Sequence, residues 1–154
     1  MSSTQQTIQR RPPTPVARPA LFSAIVVEDD PVTSRLLAMA LDRHLGAIVR
    51  TAPSAEEAVP FLAAQIDWDA VFIDIGLPNA DGLALLSFSK KHRPDAMHII
   101  ISSRRGMEDQ RKAQEAGADA YLVKPVDTAT LVRTVDAITA RRAALDTPPS
   151  DWAA

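Results

Sequence analysis

The 154-residue chain is 46% apolar and 23% charged with a formal net charge of −2, the balance of an ordinary globular protein of one domain. That charge provides no basic field for a nucleic-acid backbone, and the absence of cysteine excludes a disulfide framework, thiol catalysis and Cys-ligated metals. No secretory h-region opens the chain and no apolar run approaches the ~18 residues of a membrane span, so a cytoplasmic protein without membrane insertion is expected.

Residues 1–20 are polar, then rich in proline and arginine (Arg10, Arg11, Arg18). They hold too little apolar surface to offset ordering entropy, so a disordered arm is expected, with a Pro12-to-Pro15 spacing compatible with polyproline II. Leu21 to Val27 (LFSAIVV) reads as a buried strand that ends in Glu28-Asp29-Asp30. Pro31 suits the first position of a helix capped by Asp30, which runs to about Leu45 with Val32, Leu36, Ala40 and Leu41 at helical spacing, until Gly46 stops it. Ala47 to Thr51 is a second strand. Ser54, three residues before Glu57, opens a second helix to about Ala64, in which Pro60 predicts a kink.

The third strand, about Ala70 to Ile73, ends in Asp74, after which Gly76, Pro78 and Gly82 mark a loop. A third helix follows from about Gly82 to Lys91, with Leu83, Leu86 and Leu85 as inward candidates. Met97 to Ile101 is a fourth strand, closed by Ser102-Ser103. The next helix, about Gly106 to Ala116, is polar nearly all round. Only Met107, Ala113 and Ala116 can anchor it, so it is a candidate moving part, ended by Gly117. Ala120 to Val123 is a fifth strand and leads into Lys124-Pro125. Asp127 caps a final helix bearing Leu131, Val132, Val135 and Ile138, and residues 143–154, with Trp152, read as a flexible tail.

Five β-α repeats whose strands are too apolar for a wet face imply a parallel sheet with helices on both sides. Working sites in such sheets lie beyond the carboxyl ends of the strands. Four strands here end in polar groups: Glu28-Asp29-Asp30, Asp74, Ser102-Ser103 and Lys124. A lone Asp74 could be a loop cap. Carboxylates gathered at one edge repel each other, however, and a hard divalent cation such as Mg²⁺ relieves that repulsion. With Lys124 and a hydroxyl nearby, the set suits phosphoryl transfer onto Asp74 as nucleophile. Asp30 and Asp127 read as plain helix caps.

IVVEDDP, VFIDIGLPNADG, IIISS and YLVKP occur in that order with compatible spacing. Together they make the segment 21–142 resemble the receiver domain of two-component response regulators, of the stand-alone CheY-like type. The resemblance implies a flavodoxin-like (βα)5 α/β fold, doubly wound, with strand order 2-1-3-4-5, an order that comes from the family and not from the residues. It further implies that Asp74 is the phosphoacceptor. Glu28 and Asp29 are the acid pair for Mg²⁺, with Asp29 a direct ligand and Glu28 binding through water, and Gly76 contributes its backbone carbonyl. Ser102 takes the place of the switch hydroxyl, where threonine is commoner, and Tyr121 that of the switch aromatic. Lys124 is the cation of the pocket, and its bond to Pro125 is cis in relatives.

Implied partners are a histidine kinase or histidine phosphotransfer protein as donor, and a protein target on the face of the fourth helix, fifth strand and fifth helix. No nucleic acid is implied. The chain would be no enzyme in its own right, although it assists its own phosphorylation and dephosphorylation. Because only a short tail follows the last helix, output through a protein contact of the receiver itself is expected. Alternatives are a phosphorylation-independent adaptor and a phosphate shuttle or sink. Phosphatases with an aspartyl-phosphate intermediate need a second aspartate two residues past the nucleophile, where Gly76 stands. A flavodoxin is opposed by acids that would repel a cofactor phosphate.

Overall fold

Apolar runs of four to six residues, too short for helices and rich in β-branched side chains, form the sheet on which the molecule is built. The computed structural model describes residues 22–77 and 81–146. The proposed arm 1–20, Leu21, Pro78 and the tail residues 147–154 with Trp152 lie outside the described residues. The elements alternate without exception: β1 (Ser23–Val27), α1 (Pro31–Leu45), β2 (Ile48–Ala52), α2 (Ala55–Ala63), β3 (Ala70–Asp74), α3 (Gly82–His92), β4 (Met97–Ser102), α4 (Met107–Glu115), β5 (Ala120–Val123) and α5 (Thr128–Asp146). All four strand pairings are parallel and the order is β2-β1-β3-β4-β5, the flavodoxin-like arrangement that the motifs imply.

Strand alternation divides the core into two layers. Ile25, Val27, Val71, Ile73 and Ile100 point to one side, where Ala58 and Leu62 of α2, Leu85 and Leu86 of α3 and Ala113 of α4 cover them. Ala24, Val26, Phe72, Ile99 and Ile101 point to the other, against Leu37 and Leu41 of α1 and Leu131, Val135 and Ile138 of α5. β1, β3 and β4 are therefore apolar on both faces, as parallel central strands must be.

Local chemistry sets the helix ends. Asp30 accepts hydrogen bonds from the Val32 and Thr33 amides, Pro31 needs no amide partner, and Gly46 closes α1 in the left-handed region at φ 61°. Ser54 accepts from the Glu57 amide at 3.2 Å, as the capping sequence predicts. Pro60 lies inside α2, which continues through it.

Several expectations need correction. Val32 and Leu36 are exposed, at 65% and 62%, and the inward face of α1 is Ser34, Leu37 and Leu41. Leu36 and Leu37 are adjacent, so either phase satisfies helical spacing, and only docking on the sheet selects one. β2 is an edge strand and mostly exposed, so the rule that no strand has a wet face fails there. Its Arg50 instead stacks over the Phe61 ring at 4.2 Å. Met107 is exposed and does not anchor α4, which leaves Ala113 and the partly buried Ala116 to hold that helix. α5 runs to Asp146, so residues 143–146 belong to the helix and not to a tail.

Candidate functional site

The sheet brings the polar strand ends to one edge. Val27 lies opposite Ile73, so the next residues, Glu28 and Asp74, stand side by side at the carboxyl ends of β1 and β3. The Glu28 amide is fixed by the Ala52 carbonyl at 3.0 Å, and the Lys124 amide by the Ser102 carbonyl at 2.8 Å. Backbone bonds to neighbouring strands thus hold the first residue beyond β1 and beyond β5 in place.

Lys124 reaches across to both acids. Its Nζ donates to Asp74 Oδ2 at 2.8 Å and lies 2.6 Å from Glu28 Oε2, the second contact being an ion pair without hydrogen-bond alignment. Asp74 Oδ1 accepts from the Gly76 amide at 2.7 Å, and Glu28 Oε1 from the Asp30 amide at 3.2 Å. Glu28 and Asp74 are buried, whereas Asp29 is exposed at the mouth. Each of the three offers a carboxylate oxygen within 4.8 Å of the others.

Burial pushes the Glu28 carboxyl above its usual range, and the Asp74 charge adds to that, while Lys124 and the Asp30 amide oppose it. Burial alone would lower the Lys124 ammonium. Its hydrogen bond to Asp74 and the charges of Asp74 and Glu28 beside it outweigh that and raise it, so the lysine stays charged. Among the described residues one ammonium faces three carboxylates, which leaves the pocket with a surplus of negative charge. An all-oxygen donor set with an open, exposed side matches a hard divalent cation that keeps part of its water shell. Glu28, Asp29 and Asp74 therefore fit Mg²⁺.

Ser102, one strand further along, is buried, and its Oγ accepts from the Arg104 amide at 3.0 Å. Tyr121, opposite Ile100 on β5, donates from its hydroxyl to the Arg104 carbonyl at 2.7 Å, and its half-buried ring packs on the layer that holds Ile100 and Ala113. A single residue, Arg104, thus holds Ser102 through its N–H and Tyr121 through its C=O. Lys124-Pro125 is cis, as the resemblance implies. Asp30 and Asp127 are caps: Asp127 accepts from the Thr130 amide at 2.7 Å.

Three features are not visible in the sequence. The resemblance points to the Gly76 carbonyl, yet the contact present is its N–H on Asp74. A Cβ there would lie 3.2 Å from Asp74 Oδ1. Gly82 reads as a turn residue, yet its role is close approach: a Cβ would stand 2.4 Å from Ile75 Cα and 2.8 Å from the Asp74 carbonyl oxygen. The Arg104 bridge leaves no trace in the sequence, because backbone donors and acceptors are the same for every residue type but proline.

A five-stranded parallel sheet of this order, with acids, a hydroxyl and a lysine at its carboxyl edge, defines a phosphoryl-accepting α/β signalling domain. The chain belongs to the response regulator receiver domain family, whose match covers residues 24–136. Transcriptional regulatory protein PrrA of Mycobacterium leprae is 37% identical over 130 residues, 82% of this chain and 54% of that protein. The chain thus spans about half the length of such curated relatives. Among solved structures, a CheY-like response regulator receiver domain protein from Methanospirillum hungatei superposes with a TM-score of 0.74 at 26% identity, covering 79% of this chain and 96% of that one. A response regulator from Burkholderia pseudomallei, solved with a phosphorylated aspartic acid, calcium and citrate, has a TM-score of 0.70 at 25% identity, covering 82% and 75%. Among the described residues no helix is long and apolar enough to cross a membrane.

Proposed function

We propose that this receiver takes a phosphoryl group on Asp74 from a phosphohistidine of a kinase or phosphotransfer protein, in the cytoplasm. The supporting observation is the buried Asp74 carboxylate, held at the strand edge by the Lys124 ammonium at 2.8 Å and the Gly76 amide at 2.7 Å. A carboxylate oxygen of Asp74 attacks phosphorus in line, the P–O bond forms as the N–P bond breaks, and the electron pair leaves on the donor's imidazole nitrogen. Lys124 stays protonated, and the Lys124 and Gly76 donors keep the carboxylate in one orientation throughout. Mg²⁺ on Glu28, Asp29 and Asp74, with the Gly76 carbonyl, would neutralise charge on the phosphoryl oxygens. The Burkholderia pseudomallei protein, with its phosphorylated aspartic acid and calcium ion, supports the same reading. The receiver acts here as acceptor and assists its own phosphorylation and dephosphorylation, and it turns over no other substrate.

Output follows from the Arg104 bridge. Phosphorylation of Asp74 adds roughly −1.5 to −2 charges and new acceptor oxygens. Ser102 turns its hydroxyl toward them and gives up the Arg104 amide, which loosens the carbonyl that holds Tyr121. The α4–β5–α5 face then changes shape around a groove of about 520 Å³ lined by Ala113, Tyr121, Ile138 and Arg141, which is where a protein target docks.

Incubation with acetyl phosphate and Mg²⁺, read by intact mass, tests this. The expected result is one phosphoryl group on the parent protein, none on Asp74→Asn and none after chelation of the metal. Uptake by Asp74→Asn would overturn the assignment.

A further inference from the structure

The groove between α4, β5 and α5 lies beside the point where the chain leaves its last helix. Ala113, Tyr121 and Ile138 give the groove an apolar floor, and Leu145, 85% exposed, stands at its rim one residue before α5 ends. The sequence that follows is Thr147-Pro148-Pro149-Ser150-Asp151-Trp152. Pro148 and Pro149 are residues that do not continue a helix. Beyond them the segment 147–154 brings its single charged side chain, Asp151, next to its single aromatic, Trp152.

Reach and charge both direct that pair into the groove. Six residues lead from Asp146 to Trp152, a reach of up to about 20 Å. The way back along α5 from Leu145 to Ile138 is only about 10 Å. At about 520 Å³ the groove is of a size that takes a ring system such as indole. Two arginines of α5 line it, and they differ in what they already hold. The Arg142 guanidinium is engaged by the Asp95 and Ala96 carbonyls at 2.6 and 3.1 Å and by Asp119, the acid of the groove, at 3.3 Å. Exposed Arg141 has no ion-pair partner among the described residues. An apolar floor beside an unpaired cation is the complement of an aromatic side chain that follows an acid.

We propose that Trp152 folds back into this groove of its own chain, with Asp151 paired to Arg141. The segment then covers, in the unphosphorylated protein, the surface on which a target docks. That consequence rests on the function proposed above, whereas the docking itself does not.

Nuclear magnetic resonance on the full-length chain with isotope-labelled tryptophan tests it, because the chain has only two indoles. Trp68 is the internal reference, being 8% exposed with its Nε1 donating to the Phe61 carbonyl at 3.0 Å. Trp152→Ala identifies the second indole signal. In the parent that signal should resist broadening by a soluble gadolinium chelate, and its ring should show Overhauser contacts to the Ile138 and Leu145 methyl groups, equally at every protein concentration. Arg141→Glu alone and Asp151→Arg alone should each increase the broadening severalfold, because each sets like charges together. The double variant should regain parental protection, and an unmoved Trp68 signal confirms that each variant is folded. A Trp152 signal broadened like free indole, protection unmoved by either single swap, or losses that the double swap fails to rescue would each overturn the proposal. Protection that grows with concentration would place the segment on a second copy and overturn it equally. Every readout is taken without a phosphoryl donor, so a failure of Asp74 to accept phosphate would leave these results unchanged.

Discussion

Gly82→Ala tests whether the loop after Asp74 is held by close backbone approach. The added Cβ would meet Ile75 Cα at 2.4 Å and the Asp74 carbonyl oxygen at 2.8 Å, and neither atom can rotate away as a side-chain tip would. Overpacking of this kind costs about 1–3 kcal/mol, and an immovable backbone neighbour puts it at the upper end. Alanine returns about 0.5–1 kcal/mol through its better helix propensity at the start of α3. The net loss is about 2 kcal/mol, or a melting temperature lower by about 8 °C for a domain of this size. Calorimetry measures the shift, with Gly106→Ala as control, since the nearest neighbour there is an Asp109 carboxylate oxygen at 3.7 Å. That control should stay within about 1 kcal/mol of the parent. Because relief of the clash moves the Asp74 carbonyl, Gly82→Ala should also slow uptake from acetyl phosphate. A Gly82→Ala protein that melts with or above the parent would refute the reasoning.

Three further outcomes are expected. His98 sits buried between the Ser89 hydroxyl at 2.7 Å and the Ala96 carbonyl at 3.0 Å, and burial, helped by Lys90, brings it from 6.5 down to about 4. The unfolded chain takes up this proton below about 6.5 and the folded chain only below about 4. Stability is therefore unaffected above pH 7 and falls as pH drops through that window, by about 2 kcal/mol at pH 5. Urea unfolding at pH 7 and pH 5 should show a loss smaller by that amount in His98→Gln, and equal losses in the two proteins would reject the assignment. Lys124→Met removes the one ammonium between Glu28 and Asp74, so Mg²⁺ should bind several-fold tighter by calorimetry while phosphoryl uptake drops at least tenfold; unchanged Mg²⁺ affinity counts against the charge argument. Asp30→Ala deprives the Val32 and Thr33 amides of their cap and should cost about 1 kcal/mol in denaturant, a neutral result meaning that α1 is held by packing alone.

Much of the site was legible because its chemistry sits in residue types that have few other reasons to end a buried strand. Glu28, Asp29, Asp74 and Lys124 follow apolar runs, and a parallel sheet has only one carboxyl edge to put them on. Capping was legible for the same local reason: Asp30, Ser54 and Asp127 bond to amides two or three residues away, within reach of the chain itself.

What depends on distant neighbours was not legible. The phase of α1, which exposes Leu36 and buries Leu37, is chosen by the sheet it lands on. The exposure of β2 follows from its place at the edge, which its own residues do not state. Gly82 reads as a turn until Ile75 is seen against it, and nothing in the residue type of Arg104 tells that its backbone N–H and C=O stand between Ser102 and Tyr121. The order of side chains along the chain therefore determined the layers, the edge and the chemical groups delivered to it. The tertiary structure alone decided which of two helix faces is wet, which glycine has no room for a methyl, and which backbone links the acceptor's edge to the switch. Those contacts join residues far apart in sequence, or use atoms that every residue shares.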